Sequence, residues 1–318
     1  MKLFKYITGI ILISLLLTAI VTYIINMGLK KSPTDFFGKI NIINNPEQQI
    51  EILLAGSSRI LTGVDPAVID SFTGMRSYNA GLNAATIKTS YNIIRTALEK
   101  QINLKLVVLN IDYNMFDPKE DPYKDPYYYP YTDMSPVLYL NDKGIAAKLH
   151  KVRILDITSY DDYVMNAAAK GLFHSNNNLI KGFAPHVEPG YTPPDQSIVR
   201  KQEQPFTNEG INLLRTITAT CKKQKVAIIF IIAPYVQGHS PAGYVTNYNT
   251  IIDDIKTVAS ELQVNVFDYS NDPISTDTGY FYNSWHLNAK GARVYSQKVA
   301  LQLKNVLNNY SPGTSAIK

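Results

Sequence analysis

Hydrophobic positions along this chain form one long run, followed by short apolar stretches that alternate with amphipathic ones. The run covers Tyr6 to Met27 and is broken only by Thr8, Gly9, Ser14, Thr18, Thr22 and Asn26. As a helix it reaches about 33 Å, enough to cross the hydrocarbon core of a bilayer. A cleaved signal peptide has a shorter apolar region and then a small-x-small site, and no such site follows here. Residues 1–31 are therefore expected to be an uncleaved, single-pass signal anchor. Lys2 and Lys5 before the run and Lys30 and Lys31 after it nearly balance the positive-inside count. A large carboxyl-terminal cargo favours an internal amino terminus and an extracytoplasmic bulk.

Beyond the anchor, residues 32–48 read as a polar, proline-punctuated linker. Gln49–Ala55 is a buried strand that breaks at Gly56-Ser57-Ser58. Asp65 then caps a helix with Pro66 at its first position. Arg76–Asn79 is a second strand, and Ala84–Leu98 is a helix with Ile87, Tyr91, Ile94 and Leu98 at three- and four-residue spacing. Leu104–Ile111 is apolar throughout, as suits a strand covered on both faces. The alternation stops from 117 to 205. That tract is tyrosine-rich at 123–131, later rich in Asn, Pro and Gly, and carries candidate helices Pro136–Arg153 and Tyr160–Leu172. A structureless loop of that length is improbable, so it reads as an inserted helical cap. Alternation resumes with helix Asn208–Gln224 capped by Thr207, strand Val226–Ala233, helix Tyr244–Leu262, strand Val264–Asp268 and helix Asn288–Asn309. The soluble part spans 49–310, with 311–318 as a tail. Strands alternating with helices predict an α/β domain with a mostly parallel five-stranded sheet.

Composition narrows the possibilities. Without the four lysines of the first 31 residues, 27 basic residues face 26 acidic ones, so the domain lacks the basic footprint of a nucleic-acid binder. Cys221 is the single cysteine, which excludes an internal disulfide and a cysteine-rich metal site. His150, His174, His186 and His239 show no metal-ligand spacing. The turn after the first strand lacks Gly-x-Gly-x-x-Gly, which ranks a flavin or nucleotide last. No cofactor or metal is expected.

Ligands of open α/β sheets gather at the carboxyl ends of the strands. Ser58 follows the first strand, Gly81 and Asn83 follow the second, Asn110 and Asp112 close the third, and His286 precedes the last helix. A serine, a proton acceptor and hydrogen-bond donors are what acyl transfer requires. Each has a plainer reading: a helix cap for the serine, a turn for Gly81, a salt bridge for Arg59, packing for Trp285 and the tyrosines of 123–131.

Gly56-Ser-Ser-Arg59 resembles the nucleophile block of the SGNH (GDSL-like) hydrolase superfamily, with Ser58 as the serine. Tyr78-Asn-Ala-Gly81 is similar to the block whose glycine N–H helps form the oxyanion hole. Asn283-Ser-Trp-His286 is similar to the last block, with Asn283 where the family has Asp. Asn110-Ile-Asp112 stands where the family reads Gly-x-Asn. The resemblance implies a flavodoxin-like three-layer α/β/α fold. It also implies an acyl-Ser58 intermediate, with His286 as base and Gly81 and the Ser58 N–H on the oxyanion. Asn83, Asn110, Asp112 and Arg59 are further candidates for the oxyanion and substrate. Either His286 works with Asn283 or in a dyad, or Asp268, Asp272 or Asp277 supplies the acid.

The anchor is more like the branch of the family engaged in cell-envelope acyl transfer. That implies an esterase or O-acyltransferase acting on an envelope or lipid-linked glycan, with a membrane-bound partner delivering acyl groups. The competing reading is a catalytically inactive glycan-binding or scaffold module, for which Asn283 and Asp112 speak.

Overall fold

The computed structural model describes residues 2–131, 157–173, 181–187, 190–193 and 201–309. They fall into two compact units, Met1–Ile42 with Tyr123–Asn178, and Ile43–Pro122 with Leu179–Lys318.

The second unit holds the sheet. Strands β1 (Ile52–Ala55), β2 (Ser77–Asn79), β3 (Leu106–Asn110), β4 (Ala227–Ile232) and β5 (Val266–Asp268) are all parallel, in the order β2-β1-β3-β4-β5. Leu54 lies opposite both Asn79 and Val108, and Leu109 opposite Phe230. The inner strands are apolar on both sides because both sides are covered. Ile52, Leu54, Leu106, Val108, Ile229 and Ile231 point to one face and join Ile60, Ile69, Tyr295 and Val299 in a core cluster. These partners come from α3 (Ser58–Gly63), α4 (Pro66–Thr73) and α9 (Ala289–Asn309). The alternate residues Leu53, Val107, Leu109, Ile228 and Phe230 are buried on the other face, where α5 (Ile87–Lys100), α7 (Asn208–Lys223) and α8 (Tyr248–Glu261) form the third layer. The expected three-layer α/β fold is thus present. The chain winds from β1 outward to β2 and returns to β3 on the other side, so the loops after β1 and β3 part at a switch point.

Local signals place the helices as expected. Asp65 accepts from Ala67 N at 2.8 Å with Pro66 at the first position, and Thr207 accepts from Gly210 N at 3.1 Å. Helix α8 begins after a short turn at Pro241–Gly243, four residues later than its apolar pattern suggests.

In the other unit, α1 is Lys2–Leu29, a helix long and apolar enough to cross a membrane. It is buried only at Thr22, Ile25, Gly28 and Leu29, where it meets α6 (Asp162–Phe173). A side chain on Gly171 would come within 2.7 Å of Ser32 N, so glycine is needed for that approach. The linker expected at 32–48 is corrected. Asp35–Asn44 is helix α2, because Phe36, Phe37 and Ile40 share a buried face, and Pro46–Gln48 is a 3₁₀ turn. Phe36 stacks on Tyr123, and Tyr127 on Tyr163. Tyr123, Tyr127, Tyr128 and Tyr131 are buried, so packing is their role. Of the expected cap, helix Tyr160–Leu172 corresponds to α6, and Pro136–Arg153 lies outside the described residues.

Candidate active site

Strand β1 ends in a backbone that only glycine suits. Gly56 has φ +139°, and a Cβ there would sit 2.9 Å from Asn110 Cβ. Two serines follow with different fates. Ser57 is buried, caps α3 by accepting from Arg59 N at 3.3 Å, and donates to Asp112 Oδ2. Ser58, one residue on, is half-buried, and its Oγ lies 2.8 Å from His286 Nε2.

The imidazole is oriented by Asn283, whose Oδ1 is 3.1 Å from His286 Nδ1. The same oxygen accepts from Trp285 N at 3.0 Å and His286 N at 2.9 Å. These two backbone donors fix the amide, since only its oxygen can accept them. Nδ1 then carries the proton and Nε2 presents its lone pair to the Ser58 hydroxyl. A misplaced tautomer costs about 10⁴ in rate in a serine triad whose Asp becomes Asn. The turn at 283–286 removes that cause. Burial, then Arg59 and His186, lower the His286 pKa to about 4 against an opposing pull from Asp112. The ring is therefore neutral at physiological pH. The other candidate acids are engaged elsewhere. Asp268 pairs with Lys256, Asp272 with Lys298, and Asp277 accepts from Gly279 N.

Among the remaining candidates, Arg59, Asp112 and Asn110 are buried and engaged with one another or with neighbouring loops. Arg59 is buried, with Nη1 2.8 Å from Asp112 Oδ1, Nη2 donating to the Ala233 and Pro234 carbonyls, and Nε donating to Trp285 O at 3.2 Å. It also stacks 3.6 Å above the Tyr235 ring. The substrate-binding role expected of Arg59 is thereby corrected: its guanidinium ties the loops after β1, β3 and β4 to the histidine loop. Asp112 is likewise corrected from the oxyanion set. Ser57, Arg59 and Asn110 Nδ2 hold its carboxylate, so it does not oppose an oxyanion. Asn110 is wholly buried, spends its amide on Asp112, and leaves Oδ1 without a hydrogen bond.

Gly81 also departs from expectation. Its N–H donates to Asn79 Oδ1 at 3.0 Å, and a Cβ would press on Ile60 and come within 2.6 Å of Leu61 N. The glycine lets this loop touch α3. Asn79 in turn donates to the Ile60 and Val64 carbonyls, a buried role its place in the motif did not suggest. Asn83 is exposed after β2. The Ser58 N–H, at the first position of α3, has no acceptor within its own helix.

Sequence reasoning missed His186. Its ring stacks on Tyr282 at 4.0 Å and meets the His286 ring edge-on at 5.7 Å. Its segment is held to the histidine loop by Ala289 N→His186 O and Thr192 N→Tyr282 O, both 2.9 Å. Isolated bridges of this kind leave no periodic signal in sequence. A cleft of about 450 Å³ opens beside His186, walled by Tyr191, Phe281, Thr278 and Lys290. Trp285, adjoining His286 in the chain, is 42% exposed, and its ring lies 6.3 Å from that of Tyr244. Among the described residues no group of three or more His, Cys, Asp or Glu could hold a metal ion.

The chain matches no protein-family model and no curated protein. Solved structures similar to it include three acyl-ester enzymes or relatives of such enzymes. The lipase/acylhydrolase from Enterococcus faecalis is 12% identical over 84% of this chain and 100% of that one, with a TM-score of 0.42. A catalytic mutant of an acetylxylan esterase from Geobacillus stearothermophilus is 12% identical over 84% and 97%, at 0.44. A member of the lipolytic G-D-S-L family from Veillonella parvula is 12% identical over 80% and 98%, at 0.41.

Proposed function

We propose that this protein is a membrane-anchored, extracytoplasmic SGNH-like serine esterase or O-acyltransferase acting on esters of envelope or lipid-linked glycans. The contact between Ser58 Oγ and His286 Nε2, with Asn283 Oδ1 behind the ring, carries the reading. Ser58 Oγ attacks the ester carbonyl while its proton passes to Nε2. The Ser58 N–H donates to the oxyanion. Collapse to the acyl-serine expels the alcohol, which takes the proton from His286. Water or a sugar hydroxyl then attacks the acyl-serine, giving its proton to Nε2, and Ser58 recovers a proton as it leaves. Water makes the protein an esterase, and a sugar hydroxyl makes it an O-acyltransferase supplied by a membrane-bound acyl-delivering partner. Trp285, partly exposed and next to His286 in the chain, would offer a stacking surface for a sugar ring in this reading. Helix α1 supplies the anchor in this reading.

The engaged Gly81 N–H favours a second reading, an inactive glycan-binding module, because one expected oxyanion donor is spent. Incubating full-length protein with a fluorophosphonate probe separates the two. Labelling of the wild type that disappears in Ser58→Ala and His286→Ala is the expected result. A wild type that stays unlabelled from mildly acidic to alkaline pH rejects the catalytic reading. Resistance of the native protein to alkaline carbonate extraction checks the anchor.

A further inference from the structure

Residues 181–187 are the first described ones after the chain re-enters the sheet-bearing unit at Leu179, and they form a strap tied at three places. Asn79 N, at the end of β2, donates to Lys181 O at 2.9 Å. Ala184 N donates at 3.1 Å to Leu61 O on α3, the helix that opens with Ser58. Ala289 N, at the start of α9, donates to His186 O at 2.9 Å. Gly182 has φ +81°, and a Cβ there would overlap Asn79 O, so glycine is what lets the strap lie so close. Phe183 is buried in the cluster that holds Ile60 and Leu287. The strap is thus joined to the nucleophile's helix and to the end of the histidine loop, and it carries a ring to a fixed place between them. That ring is His186. It stacks on Tyr282 with centroids 4.0 Å apart and planes 7° from parallel, and it meets the His286 ring edge-on at 5.7 Å and 67°. Tyr282 N in turn donates to His286 O at 2.8 Å, so the loop is closed upon itself beside that contact.

Ser58 Oγ and Asn283 Oδ1 each engage one nitrogen of His286. Hydrogen bonds tolerate a wide spread of angles, so two of them leave an imidazole room to rock. A close-packed ring from a different segment removes that room. We propose that His186 is a positioning residue for the base, its ring holding the plane of His286 so that Nε2 stays aimed at Ser58 Oγ. The role is one of ring packing and requires no proton on His186. The inference rests on the serine-esterase reading above and adds a residue to that same site. A misplacement of about 1 Å is enough to cost about 10² in rate, so a modest rocking of the base has a large effect.

Three variants of the full-length protein in detergent test this. His186→Ala removes the ring, His186→Leu fills the space without a plane, and His186→Phe restores a flat ring that cannot titrate. With p-nitrophenyl acetate, Ala and Leu should lower kcat about tenfold or more and leave KM within about twofold, and Phe should recover most of the lost kcat. A second readout needs no turnover. In protein labelled with nitrogen-15 histidine, the Nδ1–H signal of His286, assigned by its loss in His286→Ala, should persist in wild type and Phe. It should broaden or vanish in Ala and Leu as the ring rocks and its proton exchanges with water. Thermal transitions show which variants fold, and the comparison of Leu with Phe stands if Ala does not. Wild-type kcat and an unmoved signal in Ala and Leu overturn the proposal, and so does a Phe variant that falls as far as Leu. A wild type without turnover, whose signal still follows the pattern of the variants, removes the ester chemistry and retains the positioning. Turnover and a signal indifferent to all three remove the positioning alone.

Discussion

Asn283 occupies the place of a triad carboxylate, yet its Oδ1 is fixed by the N–H groups of Trp285 and His286. An amide so held orients imidazole without stabilising its cation, which accords with a His286 pKa of about 4. Turnover of p-nitrophenyl acetate should therefore be level down to about pH 5 and fall below it with an apparent pKa near 4. Asn283→Asp brings an opposite charge to Nδ1 and should move that limb upward by about 1–3 units. A wild-type limb near 6.5, or one that Asn283→Asp leaves in place, would contradict the assignment. Stability follows the same group. The unfolded histidine protonates first, so this group's contribution to stability is constant above about pH 6.5 and declines as pH falls from there toward 4. The adjacent serines give a second contrast. Ser58→Ala should abolish labelling with little effect on urea unfolding. Ser57→Ala should cost about 1–2 kcal/mol through the lost cap and leave the nucleophile in place. Arg59→Met should be worse, about 3–5 kcal/mol, because it strands Asp112 in the interior without its ion pair.

At the scale of elements, the closest contacts run through glycine. Gly81→Ala forces a methyl group onto Ile60 and the Leu61 backbone and should cost about 1–3 kcal/mol in urea unfolding. At Gly243 an added methyl group would meet nothing within 4 Å, so Ala there should change stability by no more than about 0.5 kcal/mol. These differences explain what could be read from sequence. Strands β1, β3 and β4 are continuous apolar runs because both faces are covered, and helices α4 and α7 announce themselves by Asp65-Pro66 and Thr207. Helix α3 escaped notice because six residues complete too few turns to show a period. Helix α2 hid its Phe36, Phe37 and Ile40 face among prolines and polar residues. Ser58 and His286 could be placed at strand ends from the alternation, whereas Asn283 stood out only because its block resembles a family motif. The burial of Asn110, the engagement of Gly81 and the approach of His186 were not, because each depends on contacts between distant loops.

On the whole-molecule scale, the chemistry and the apolar helix belong to different compact units. Ser58, His286, Asn283, Arg59 and Asp112 all lie in the unit that carries the sheet, whereas α1 packs on α6 in the other. A chain beginning at Ser32 loses the candidate span and uncovers Ala168 and Gly171 on α6, but it keeps every contact of the Ser58 site named above. Such a chain should still take a fluorophosphonate label, and His286→Ala should still abolish it. It should lose turnover on a lipid-linked ester presented in vesicles, because anchoring holds enzyme and substrate in one surface at high effective concentration. Refusing the soluble probe would show that α1 supports the sheet-bearing unit itself. Full turnover of the vesicle substrate by the shortened chain would show that the helix has no part in meeting the substrate. Loss of the vesicle reaction alone assigns the anchor to substrate encounter and the catalytic geometry to the sheet.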